Sequence, residues 1–265
     1  MERVLMLRLH THGCSAEVLL NDIPVARSDT RCPAICMPVH EFLLVGSNEI
    51  TLVIDPHVPC SPGKTTPRVA DGVLGASVRL LLPRIGHLGN EMHARTLGEL
   101  DWSVPDGDVF RVPHRVSVSA SLPIKFPRWR WMDAPQISDV ENIKAVAATY
   151  LQDIAVSLSR GDVEPFMNAS RLRREELALA YQQPVAHTAD RLRSRLQVLS
   201  ASKALKMLIP EELGMVLRPC ANGRMLECMD KTGEPSLRTE ETAAGTRSAW
   251  PVRIAVVNGK CHILR

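Results

Sequence analysis

Aromatic side chains are scarce. Phe, Trp and Tyr make up 4% of the 265 residues, so the 45% hydrophobic content must build its cores chiefly from Leu, Val, Ile, Ala and Met. A sugar platform of several stacked rings is therefore poorly provided for. No eighteen-residue apolar run occurs, so no stretch reads as a membrane-spanning helix. Charge of one sign is lacking too: 32 Lys and Arg stand against 29 Asp and Glu, a net +3 that arises after residue 135. Neither half has the basic excess of a dedicated duplex-binding domain. The opening Met1-Glu-Arg-Val-Leu-Met-Leu-Arg-Leu-His10 places charges inside its apolar run, unlike a signal-peptide core, and the expected location is cytoplasmic.

Nucleotide and metal motifs are missing as well. Gly63-Lys64-Thr65-Thr66 has Val58 where a phosphate loop needs its upstream glycine, and no helical pattern follows it. No cofactor is expected. The seven cysteines, Cys14, Cys32, Cys36, Cys60, Cys220, Cys228 and Cys261, match no disulfide framework. Cys32, Cys36 and His40, with His57 and Cys60 nearby, are zinc-type ligands at the wrong spacing. Four extended residues span about 13 Å at ~3.3 Å each, so one ion could hold the first three only if the segment folded back. The expectation is no metal: small buried cysteines beside exposed loop histidines.

What is present is an abrupt change of pattern. Residues 122–136, Leu-Pro-Ile-Lys-Phe-Pro-Arg-Trp-Arg-Trp-Met-Asp-Ala-Pro-Gln, carry three prolines, each removing a donor and favouring extended backbone before it. This predicts domains at 1–126 and 138–265 joined by a Pro/Trp-rich seam at 127–137. Trp129 and Trp131, two apart on an extended chain, would anchor that seam, with Arg128 and Arg130 beside them as interaction residues. Interleaved cations and rings also suit single-stranded nucleic acid. Glu175, Glu176 and Asp190 neighbour the helical arginines, however, and solvated helix faces account for these better, so no nucleic acid is expected.

Before the seam, alternation predicts strands at 4–9, 16–20, 38–54, 75–82 and 109–122, with turns at Asn21-Asp22 and Gly46-Ser47-Asn48. Two Pro- and Gly-bearing connections, 55–75 and 83–108, separate them. Short strands between turns imply an all-β antiparallel sandwich. Val18-Leu-Leu-Asn-Asp-Ile-Pro-Val25 and Leu44-Val-Gly-Ser-Asn-Glu-Ile-Thr-Leu-Val53 resemble a recurring pattern of galactose-binding-like jelly-roll domains. The resemblance implies that Asn48 caps a turn and does not touch a ligand. Asp22 stands where that family usually has glycine. Many such domains bind carbohydrate, for which Trp102 and nearby loops would be the platform; others only pack against a neighbour.

After the seam the period becomes helical. Ser138 and Glu141 match a capping box ahead of a stripe at Ile143, Ala147, Tyr150, Leu151, Ile154 and Leu158 that ends at Gly161. Further helices are expected from Asp162, at 171–181 and at 185–208. Strands follow at 215–219 and 224–229, at 236–241, and at 251–258 and 260–264 around Asn258-Gly259, a strong hairpin signal. Helices followed by a curved antiparallel sheet resemble the α+β cone of nuclear-transport-factor-type (SnoaL-like) proteins. That resemblance implies a pocket inside the cone and a homodimer through the sheet.

His187 and Asp190 fall three apart on an expected helix and could form an acid–base dyad in the cone, with Tyr150 or Asp153 in support. The commoner role for such a pair is a solvated one. The favoured expectation is a non-enzymatic protein of bacterial accessory or immunity type that binds a protein partner. A cone enzyme using His187, Asp190 or Tyr150, and carbohydrate binding by the sandwich, are the alternatives.

Overall fold

The structure is a computed structural model that describes residues 4–56, 65–84, 93–122, 124–242 and 245–265. Among the described residues the paired strands are antiparallel, and the α-helices lie in the second half of the chain. The chain divides into two compact units, Met1–Arg128 and Trp129–Arg265. Among the described residues no helix is long and apolar enough to cross a membrane.

The first unit holds two four-stranded sheets and a ribbon. One sheet runs β4(Ala34–Pro38)-β1(Met6–His12)-β7(Leu74–Pro83)-β8(Ala94–Val104). The other runs β10(His114–Leu122)-β5(Gly46–Ile54)-β2(Ala16–Leu20)-β3(Ile23–Ser28). β6(Thr66–Val69) pairs with β9(Val109–Val112) as a separate two-stranded ribbon. Period-two Leu7 and Leu9, Ile50, Leu52 and Ile54, and Val78 and Leu80 are all fully buried. The alternation that predicted these strands is the alternation that builds the core. Gly98 of β8 marks a close approach of the sheets: a Cβ there would lie 2.8 Å from Cδ1 of Ile50 and 3.0 Å from Cβ of Ala120. The Asn21-Asp22 turn has φ of 52° and 63°, the left-handed pair that a two-residue hairpin requires.

Several expectations need correction. The connections 55–75 and 83–108 contain β6 and β8. β6 is exposed along its whole length and β8 buries only Leu100 and Val104, so neither displays an alternating apolar face. β4 was unforeseen for the same reason. The turn expected at Gly46-Ser47-Asn48 is not there, since those residues open β5; the break within 38–54 comes earlier, at the 3-10 turn His40–Phe42.

In the second unit α1(Ile143–Ser159), α2(Glu164–Ala169), α3(Arg171–Ala180) and α4(Val185–Ala201) precede a sheet of order β11(Met215–Cys220)-β12(Met225–Asp230)-β15(Arg253–Val257)-β16(Lys260–Ile263). β13(Leu237–Arg238) and β14(Ala249–Trp250) form a short side pair. Ala147, Leu151, Ile154 and Leu158 of α1 bury their stripe with Phe166, Leu196, Leu226, Ile254 and Ile263. Phe166 meets Trp250 edge-on with ring centroids 6.1 Å apart.

The capping box does not form. Ser138 lies in a 3-10 turn (Ile137–Asp139), its hydroxyl donates to Asp139 Oδ1, and Asn142 with φ 50° precedes α1. Ile137 is buried and its N–H donates to Gly223 O, which docks this turn onto the β11–β12 turn instead. α4 stops at Ala201, short of residue 208. Leu205 and Met207 leave the helical path to enter the core, where Met207 bridges Thr239.

Candidate functional site

One sizeable concavity is lined wholly by residues of the second unit. One wall is the stretch from Gln136 through the 137–139 turn to Ile143 and Lys144 in the first turn of α1. The other is the sheet-edge strand β11, whose Met215, Leu217 and Pro219 share a face at period two, with Leu226 of β12 beside them. Together they enclose about 580 Å³. Gly223 closes one end. It has φ 78°, which favours glycine; a Cβ there would meet Gln136 Oε1 at 2.5 Å, the tip of a flexible side chain that can turn aside. Lys144 is the single charged side chain of the lining and is exposed. A smaller cavity of about 110 Å³ between the 208–214 segment and Met229 contains Asp230 and Arg238, which pair with each other.

Charge is built into the other face of the same sheet. Arg218, Glu227 and Arg253 are cross-strand neighbours on β11, β12 and β15, and both guanidiniums bind the buried Glu227, that of Arg253 at 3.0 Å. A second network gathers around Glu176 of α3. Its carboxylate accepts the Arg130 backbone N–H at 2.6 Å and pairs with Arg265, whose guanidinium lies 5.3 Å from the Trp129 ring centroid. The Arg130 side chain reaches Glu175 at 2.7 Å and Leu172 O at 3.2 Å. His262 on β16 lies nearby; burial, then the charges of Arg171, Lys260 and Arg130, hold its imidazole below the usual range.

The expected site residues fall apart on this map. His187 and Asp190 are exposed on α4, Asp153 is exposed on α1, and none of them lines the groove. Tyr150 packs against the core, and its buried hydroxyl makes no hydrogen bond of ordinary geometry. Burial, reinforced by Cys261, pushes its phenol well above the normal range, which opposes proton exchange at neutral pH. Trp129 and Trp131 are buried in the second unit, and the segment is no extended seam: Arg130–Asp133 form a 3-10 turn. They are core residues and are not accessible to a partner. Arg130 is likewise tied to α3, whereas Arg128 is exposed.

In the first unit Trp102 is half-buried, with ring centroids 5.5 Å from Phe110 and 5.9 Å from His114. Arg68 covers Phe110 at 6.0 Å and pairs with Asp55. Cys32 and Cys36 are exposed, but His40 is not a loop histidine: it is buried, and its Nε2 accepts the Leu5 N–H at 2.6 Å. These three do not share a ligand set. His57, Cys60, Gly63 and Lys64 lie outside the described residues. Among the described residues no group of three His, Cys, Asp or Glu side chains is placed to hold a metal.

Sequence reasoning missed the groove and both buried ion networks. Their parts come from distant stretches, and the only local signal was the apolar alternation of β11. Comparison of the chain with family models, with curated proteins and with solved structures gives no match.

Proposed function

We propose that this chain is a non-enzymatic binding protein and that its first unit recognises a protein partner through the β6–β9 ribbon. In this reading the first unit is a jelly-roll sandwich of galactose-binding-like type and the second an α+β cone, working in the cytoplasm of a bacterium as an accessory or immunity-type protein. The observation that carries it is one cross-strand pair. Val69 and Val109 are directly opposed in the ribbon and are 60% and 69% exposed. Val73, just beyond β6, is also 60% exposed. Strand valines normally face a core, and grouped apolar side chains left in water mark interaction surfaces. Arg111, on the same ribbon face as Val109 by alternation and exposed, adds a polar rim.

The test is a pull-down from host lysate with wild-type protein and with Val69→Lys/Val109→Lys. The reading expects one stoichiometric protein held by the wild type and lost from the variant, the two melting within a few degrees of each other. A partner retained by the variant, or none at all, ends it.

Carbohydrate binding by the first unit is a second reading, favoured by the Trp102–His114–Phe110 cluster. It requires that Trp102→Ala abolish a signal on a glycan array. Catalysis in the cone draws no support from His187, Asp190 or Tyr150, which stand away from the groove.

A further inference from the structure

We infer that the groove between the start of α1 and β11 is a binding site for a medium-chain aliphatic carboxylate. The inference concerns the second unit and stands independently of the ribbon. Three features of the lining specify the ligand class. The walls are apolar, through Ile137, Ile143, Leu217 and Leu226, and they run along a strand edge and a helix turn, which makes a trough suited to a chain. Its volume, about 580 Å³, falls inside the range of roughly 300–1,000 Å³ typical of small-molecule sites. Polarity is confined to one stretch, Gln136, Ser138 and Lys144, and the charge there is a single ammonium.

Among the described residues Lys144 makes no ion pair, so its ammonium can receive an anionic head group. Ser138 is less available, because its hydroxyl already donates to Asp139 Oδ1 at 3.1 Å. The Gln136 amide is held against Gly223 and supplies a neutral polar contact at the closed end. An aliphatic chain desolvates the two walls, and a carboxylate complements Lys144. A cationic amphiphile would meet the same walls with the wrong charge at Lys144, the one charged residue of the lining; Asp139 and Glu141 are exposed on the adjoining turn and are not part of it. Binding requires no covalent step.

The experiment titrates the full chain with dodecanoate below its micellar concentration, following amide shifts by NMR and heat by calorimetry. Shifts are expected at Ile137, Ile143, Lys144 and Leu217. Lys144→Glu should weaken binding about tenfold, and Leu217→Glu, at a half-exposed position, should abolish it. Dodecyltrimethylammonium should bind at least several-fold more weakly than dodecanoate to the wild type and regain affinity in Lys144→Glu. Absence of dodecanoate binding, shifts located elsewhere, or affinity indifferent to Lys144→Glu would each overturn the assignment. Lys144 is exposed, so its variant folds and remains decisive even if Leu217→Glu does not.

Discussion

The side-chain amide of Asn21 donates to Oδ1 of Asn48 at 2.9 Å, joining the β2–β3 turn to the start of β5. Asn48 Oδ1 also accepts the Leu44 N–H at 2.7 Å, while its Nδ2 donates to Leu44 O and Gly46 O at 2.9 and 3.0 Å. Asn21 in turn reaches Phe42 O and accepts the Glu49 N–H. Both side chains are buried, so their amide groups have left water and depend on these partners.

Asn48→Ala should therefore cost the first unit about 2–4 kcal/mol, several buried groups losing a partner at once. Asn48→Asp should cost at least as much, since a carboxylate cannot donate to Leu44 O or Gly46 O. Urea denaturation measures both, and a loss under about 0.5 kcal/mol, the level of an ordinary surface substitution, would contradict the mesh.

Burial of His40 makes stability pH-dependent. Desolvation lowers its imidazole from 6.5 to about 4. Between those values the unfolded chain binds the proton and the folded chain does not. Stability is thus complete above about pH 6.5 and falls as pH drops toward 4, by up to roughly 3 kcal/mol for this group. Wild type and His40→Gln, compared by denaturation at pH 7.5 and 4.5, should converge toward the acid end; a constant difference would remove His40 as the cause.

Glu176 pairs with the buried Arg265 guanidinium, so Glu176→Ala should cost about 3–5 kcal/mol by breaking a buried ion pair. Glu176→Leu combined with Arg265→Met should recover much of the loss. A double-mutant cycle measures the coupling, and additive losses would show that the two side chains act separately.

Trp129 is enclosed in the second unit beside Arg265. Trp129→Ala should cost about 3–5 kcal/mol through cavity formation. Its melting curve should shift before any binding assay is informative. His187→Ala, on the exposed side of α4, should instead stay within about 0.5 kcal/mol of wild type.

What could be read locally was read well where a face is buried. The α1 stripe, the period-two runs of β1, β5 and β7, and the Asn21-Asp22 and Asn258-Gly259 turns all declare themselves within a few residues. Strands β4, β6 and β8 did not, because an exposed or edge strand needs no apolar alternation to pair. Ser138-x-x-Glu141 had the letters of a cap, yet docking of Ile137 against Gly223 outweighed a cap worth about 1 kcal/mol.

The amino-acid order alone determined where the chain turns, where it coils into helices and that the two halves differ in period. Those properties depend on neighbours within about one turn or one hairpin. Tertiary structure decided that His40 and the two tryptophans are buried, that His187 and Asp190 face solvent, and that Lys144 stands over an apolar trough. Burial and charge compensation are set by groups that meet across long stretches of chain, and no local pattern encodes which of them will meet.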